Sequence, residues 1–229
     1  MVTEAKIKEI FDSIQGEGSV IGYRQLFIRF CGCNLSCDYC DTDFGVNSAL
    51  TLTSDALIDR ITNEYNLNEF HSISLTGGEP LLSVDFLEEF LEQFKKLDTK
   101  TKVYLETNAT LTEQFLKIKK YIDIVAADIK LESSTGKDTL ALHEKFLKNC
   151  NGVQTFAKIV FDENITQSEI EKTAKIAKKY SIPLILQPKM VSDRMAVSSE
   201  FCEKITSRFI SLYHDVRLIP QVHKFLNVR

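Results

Sequence analysis

Short apolar runs alternate with amphipathic stretches of helical length along most of this chain, and that alternation restricts the fold more than any other feature. Runs of strand length read "QLFIRF" (25–30), "SISLTG" (72–77), "KVYLETN" (102–108), "DIVAADIK" (123–130), "TFAKIVF" (155–161) and "IPLILQP" (182–188). Between and after them, apolar residues recur at helical spacing over 54–66, 84–97, 111–120, 138–149, 167–180 and 198–213. Strands separated by helices mark parallel βα units, because a parallel neighbour needs a crossover long enough to hold a helix. Six such units without a Gly/Ser-rich or Pro-rich linker predict one α/β domain over 1–229, and 44% hydrophobic content supplies its core. Ser54 and Ser83 stand where helix N-caps are expected, and "VRLIPQV" near the end reads as an added edge strand.

Six units fit either an open doubly wound sheet or a barrel short of the usual eight strands, and periodicity does not separate the two. Both architectures place function at the carboxyl ends of the strands. The predicted strand ends carry "TGGEP", "ETN", "DIK" and "QPK", and a cysteine-rich run follows the first strand, so polar and glycine residues collect on one face.

That run, "CGCNLSCDYCDT" (31–42), holds four of the chain's six cysteines. Clustered cysteines in a reducing compartment are metal ligands or catalytic groups before they are disulfides. Cys33, Cys37 and Cys40 are spaced C-x3-C-x2-C, which offers three ligands in one loop; structural zinc takes four, commonly as two separated pairs, and no second pair exists. Cys150 and Cys202 lie alone on helical segments and are expected as small buried hydrophobes, and Cys31 as a packing residue. Three thiolates on a four-iron cluster leave one iron open for a ligand.

"GCNLSCDYCDT" after the first strand resembles the radical S-adenosylmethionine enzymes, whose cluster binds the cofactor's amino and carboxylate groups at the fourth iron. The resemblance implies an incomplete TIM-like (β/α)6 barrel with a [4Fe-4S] cluster on Cys33, Cys37 and Cys40. "TGGEP" (76–80) is similar to the segment that holds the cofactor's amino group in that family: its glycines let backbone approach closely, and Glu79 offers a carboxylate. By the same resemblance Tyr39, Cys40, Asp41, Gly78, Glu106, Asn108, Asp128, Ile129, Lys130, Gln187, Pro188, Lys189 and Met190 approach S-adenosylmethionine.

Substrate specificity has to come from elsewhere. In "SIQGEG" (13–18), Gln15 and Glu17 bracket a glycine and can present donors and acceptors to a planar heterocycle, and Arg29 can clamp a carboxylate bidentately. Together with "TGGEP", "ETN" and the terminal "PQVHK", these segments resemble the 7-carboxy-7-deazaguanine synthase family over essentially the whole chain. That family converts 6-carboxy-5,6,7,8-tetrahydropterin to 7-carboxy-7-deazaguanine with loss of ammonia, on the route to queuosine. The resemblance implies substrate contacts at Ile14, Gln15, Gly16, Glu17, Arg29 and Thr76, with His223 and Lys224 as further candidates, and Mg2+ at Thr42. It also implies a homodimer, an electron donor such as flavodoxin, and no catalytic protein residue, because the radical is carried by the cofactor. One departure is the tail: some members lay their terminal residue over the substrate, whereas this chain runs past His223 and Lys224 to Arg229.

A net charge of −4 gives no footprint for a polyanion such as nucleic acid. No uninterrupted apolar run reaches about 18 residues, and the amino terminus lacks a signal-type apolar region, so a soluble cytoplasmic protein is expected. Two other uses of the three thiols stay open at this point: an activase that makes a glycyl radical on a protein partner, and a non-catalytic zinc module with one outside ligand.

Overall fold

The computed structural model describes residues 3–40 and 45–229. Its strands and helices follow in chain order. β1 (Glu4–Ile14) and β2 (Arg24–Phe30) form an antiparallel pair, and β3 (Leu50–Thr53) lies on the far side of β1. Then come α1 (Ser54–Glu64), β4 (Ser72–Gly77), α2 (Val84–Phe94), β5 (Lys102–Thr107), α3 (Thr112–Ile118), β6 (Ile124–Asp128), the short α4 (Glu132–Thr135), α5 (Leu140–Lys148), β7 (Gln154–Phe161), α6 (Gln167–Tyr180) and β8 (Leu184–Pro188). A small hairpin of β9 (Met190–Val191) and β10 (Arg194–Met195) precedes α7 (Ser199–Leu212), β11 (Val216–Leu218) and α8 (Val222–Leu226).

The main sheet runs β11-β8-β7-β6-β5-β4-β2-β1-β3, and from β2 to β11 every pairing is parallel. The parallel strands are adjacent in the order in which the chain makes them. That progression, without the reversal of a doubly wound sheet, is the winding of a barrel wall, and with β3 and β11 as free edges the barrel is incomplete. The edge strand expected from "VRLIPQV" is β11, three residues long.

The central strands of the sheet are buried on both faces, and their residues alternate between two cores. Val103 and Leu105 of β5 belong to the large core under the helices, whereas Tyr104 between them points the other way, into a small cluster with Val20, Ile124, Ala126, Phe156 and Ile185. α2 shows how a helix joins the large core: Phe86, Phe90 and Phe94 recur every four residues, are buried, and stand 6.2 and 6.0 Å apart by ring centroid. Each such side chain contributes about 1.5–3 kcal/mol by leaving water. Cys150 and Cys202 are buried, and Cys31 is half-buried at the end of β2.

Two cap expectations shift. α1 is capped by Thr53, whose Oγ1 accepts from the Ala56 amide at 3.2 Å, while Ser54 is the first helical residue and its hydroxyl reaches Glu89. Ser83 precedes α2 but makes no side-chain cap bond, because a tight turn over Pro80–Ser83 already leads into the helix. No helix among the described residues is long and apolar enough to cross a membrane.

Candidate active site

A cavity of about 680 Å³ opens at the carboxyl ends of the parallel strands, within the size range of small-molecule sites. Arg29 from β2, Thr76 from β4, Glu106 from β5, Asp128 from β6, Lys158 from β7 and Gln187 from β8 all face it. Cys33, Cys37 and Cys40 line the same cavity from the loop after β2. Among the described residues no three His, Cys, Asp or Glu side chains are grouped closely enough to hold a single metal ion. Asp41 and Thr42, expected at S-adenosylmethionine and Mg2+, lie outside the described residues.

The cysteine loop is held by the segment after β4. The Gly78 amide donates to the Phe30 carbonyl at 3.1 Å and the Glu79 amide to the Gly32 carbonyl at 2.8 Å. A Cβ on Gly78 would sit 1.8 Å from the Gly32 carbonyl oxygen, so only glycine lets the two backbones meet. Glu79 itself does not line the cavity. Fully buried, its carboxylate accepts from the Thr107 hydroxyl and the Leu81 and Asn108 amides, joining the ends of β4 and β5; burial nevertheless pushes it up to about 7 against those bonds.

Asn108 also serves the loop. Its Nδ2 donates to Asn34 Oδ1 at 2.7 Å and lies 3.9 Å from the Cys33 sulfur, while its Oδ1 accepts from Thr110. Ile129 and Pro188 are buried away from the cavity, and Lys189 is committed to Asp38 and Asp162 at 2.7 and 3.2 Å. Met190 and Gly78 line the cavity.

A chain of buried charge crosses the cavity floor. Lys130 pairs with Asp128 at 2.7 Å and lies 5.1 Å over the Tyr39 ring. Lys158 pairs with Asp128 at 3.3 Å and with Glu17 at closer range, and Gln221 donates to the other Glu17 oxygen at 2.6 Å. Burial alone would raise Glu17, but the Lys158 ammonium, with the Gln221 bond, holds it down at about 2. Burial would lower both lysines, and the neighbouring carboxylates reverse that and push both upward. Glu106, unlike Glu17, is raised: burial, with Glu17 and Asp128, outweighs the Lys158 ammonium and the Thr76 hydroxyl that donates to Oε2 at 2.6 Å.

At the other end of the cavity, Gln15 turns its amide inward, donating to Gln25 at 2.9 Å and accepting from the Glu17 amide at 3.0 Å. Ile14, Gly16 and Glu17 line the cavity beside it. Gly16 is where α8 docks: its carbonyl accepts the Val222 amide at 2.9 Å, and a Cβ there would meet the His223 ring nitrogen at 2.3 Å. His223, Lys224 and Arg229 therefore reach the cavity wall. The Arg29 guanidinium lies 5.6 Å over the Phe11 ring and that of Arg229 at 4.4 Å, and Phe11 stacks on Phe27 at 5.1 Å.

Sequence reasoning overlooked Glu9, Lys158 and the role of Gln221. For Lys158 a signal exists: it is a lysine inside an otherwise apolar strand, buried with its neighbours.

Two acceptor atoms in the cavity wall, Asp128 Oδ1 and Gln187 Oε1, are buried without a hydrogen-bond partner. Such atoms are costly unless a ligand supplies donors. The amino group, ribose hydroxyls and adenine amine of S-adenosylmethionine are donors of that kind, and three thiols beside them suit an iron–sulfur cluster.

The sequence profile of the Radical SAM superfamily matches residues 27–188. The chain is similar to the 7-carboxy-7-deazaguanine synthase of Archaeoglobus fulgidus, 38% identical over 237 residues that take in 98% of this chain and 99% of that protein. It is 34% identical to the enzyme of the same name from Geobacter sulfurreducens, with 97% of each chain covered. Among solved structures, QueE from Escherichia coli matches with a TM-score of 0.64 at 18% identity, covering 95% of this chain and 94% of that one, a likeness of fold.

Proposed function

The chain belongs to the radical S-adenosylmethionine superfamily and, within it, to the 7-carboxy-7-deazaguanine synthase family, and from that premise we propose how its cavity is used. It is an enzyme that converts 6-carboxy-5,6,7,8-tetrahydropterin to 7-carboxy-7-deazaguanine with loss of ammonia, in the biosynthesis of queuosine and related deazapurines. The observation that carries the division of the cavity is a pair of unpartnered acceptors, Asp128 Oδ1 and Gln187 Oε1, on residues that line the same cavity as the three thiols.

Cys33, Cys37 and Cys40 hold the [4Fe-4S] cluster, and Asp128, Lys130, Tyr39, Gln187 and Met190 surround S-adenosylmethionine. When bound, that pair supplies a 5'-deoxyadenosyl radical able to abstract hydrogen from an unactivated carbon. The chain's own residues do the positioning. Arg29 takes the substrate carboxylate, while Gly16, Glu17 and Thr76 bound the pterin ring. Glu106, raised by burial, presents its carboxyl group to the cavity with Oε2 held by the Thr76 hydroxyl. Phe11, Phe27 and α8 exclude water. Thr42 would supply a hard oxygen ligand for Mg2+. The enzyme works in the cytoplasm as a homodimer and draws electrons from a donor of the flavodoxin kind.

The test is substrate choice under anaerobic turnover of the iron-loaded protein. Tetrahydropterin carrying the 6-carboxylate is converted and the analogue lacking it is not. Equal conversion of both contradicts the proposed carboxylate clamp.

A further inference from the structure

Resting on the proposed division of the cavity, we infer that Lys158 is a positioning residue that couples the two ligand sites, so that pterin and S-adenosylmethionine strengthen each other's binding. Its ammonium bridges Glu17, in the segment that bounds the pterin end, and Asp128, whose Oδ1 is buried without a hydrogen-bond partner. Lys158 and Asp128 are buried and the Glu17 side chain is only 13% exposed, so the pairs act at reduced effective dielectric, where charge interactions carry more weight than on the surface.

The bridge extends in both directions. Through Asp128 it reaches Lys130 and the Tyr39 ring of the cysteine loop; through Glu17 it reaches Gln221 and α8. The β6–β7 ladder sets Asp128 opposite Lys158, and the Val222 amide donating to the Gly16 carbonyl sets α8 against the segment after β1; the Lys158–Glu17 pair joins these two halves across 141 positions of sequence. A ligand whose donors engage Asp128 fixes that carboxylate, which fixes Lys158, which fixes Glu17 in the geometry the second ligand needs. Ordering required by the first ligand is then not required again by the second, and the coupling is reciprocal.

The experiment measures binding without turnover. In the iron-loaded but unreduced protein, the dissociation constant of S-adenosylmethionine is determined by equilibrium dialysis with and without saturating 6-carboxy-5,6,7,8-tetrahydropterin. In the wild type the pterin tightens cofactor binding by about fivefold or more, the lower end of ordinary coupling. Lys158→Met, of similar length and uncharged, brings the ratio close to one with iron content retained, and Lys158→Arg restores part of it. Glu17→Gln keeps the shape but releases one arm of the bridge, and also brings the ratio towards one; it tests the idea even if Lys158→Met does not fold. A wild-type ratio of one, or an undiminished ratio in the folded variants, overturns the coupling role. Absence of any pterin binding to the wild type would instead contradict the proposed substrate.

Discussion

Glu9 stands directly opposite Arg29 across the β1–β2 ladder, and its Oε1 accepts from Arg29 Nε at 2.8 Å. A register shift between Ile7 and Glu9 sets this pairing, and the second Glu9 oxygen meets the Arg229 guanidinium. The cation proposed to take the substrate carboxylate is thus already held by a carboxylate of the chain, half-buried, with its fork steered over Phe11.

Arg29→Ala therefore raises KM for the carboxylated pterin. Loss of a charge-assisted hydrogen bond is worth about 1.5–3 kcal/mol, or roughly ten- to a hundredfold in affinity. Iron content and S-adenosylmethionine affinity stay at wild-type levels. Steady-state kinetics with parallel cofactor binding check this; a selective loss of cofactor binding would assign Arg29 to the wrong ligand.

Alanine at Cys33, Cys37 or Cys40 removes a cluster ligand without emptying the core, since these thiols are half-buried or exposed. Iron and sulfide after reconstitution fall in each variant, while the iron-free protein unfolds within about 1 kcal/mol of wild type. Full iron loading in any of the three would remove that residue from the ligand set.

Gly78→Ala forces a methyl against the Gly32 carbonyl, and backbone cannot yield as a flexible side chain does. The cysteine loop and the strand end after β4 must part, moving Cys33 relative to the cavity. A displacement of about 1 Å costs on the order of a hundredfold in turnover. Turnover near wild type, measured with iron content, would show that the two loops tolerate separation.

His143 gives a pH signature. Its Nε2 accepts the Lys130 amide at 3.1 Å, so the proton rests on Nδ1 and is donated to the Ala109 carbonyl, tying the ends of β5 and β6 together. Burial pushes it down to about 4 from the usual 6.5. Between those values the unfolded chain binds a proton that the folded chain refuses, so this contribution to stability is lost as pH falls from about 6.5 towards 4 and reaches about 3 kcal/mol across the window. Denaturant unfolding of wild type and His143→Gln at several pH values isolates it, because Glu79, raised to about 7, titrates in both. A difference between the two proteins that does not change with pH would contradict the assignment.

The strand and helix rhythm was readable because the central parallel strands are buried on both faces and so appear as largely apolar runs. β1 was not: "EAKIKEIFDSI" mixes charged and apolar residues, and its strand state comes from pairing with β2 and β3. The cysteine loop was readable from spacing within one segment. Lys158 and Glu9 were not, since their partners become neighbours only in the folded sheet: Glu17 lies 141 positions from Lys158. Glu79 and Asn108 were found from the motifs around them; the structure buries the Glu79 carboxylate between the ends of β4 and β5, and Asn108 lines the cavity while bonding to Asn34 of the cysteine loop.

The most direct measurement of the central claim is the balance of products from an anaerobic reaction of the iron-loaded protein with reductant, S-adenosylmethionine, Mg2+ and 6-carboxy-5,6,7,8-tetrahydropterin. The predicted result is 7-carboxy-7-deazaguanine and ammonia in equal amounts, with S-adenosylmethionine undiminished. Cleavage of S-adenosylmethionine to methionine without the deazaguanine, from protein with a full cluster, would contradict it.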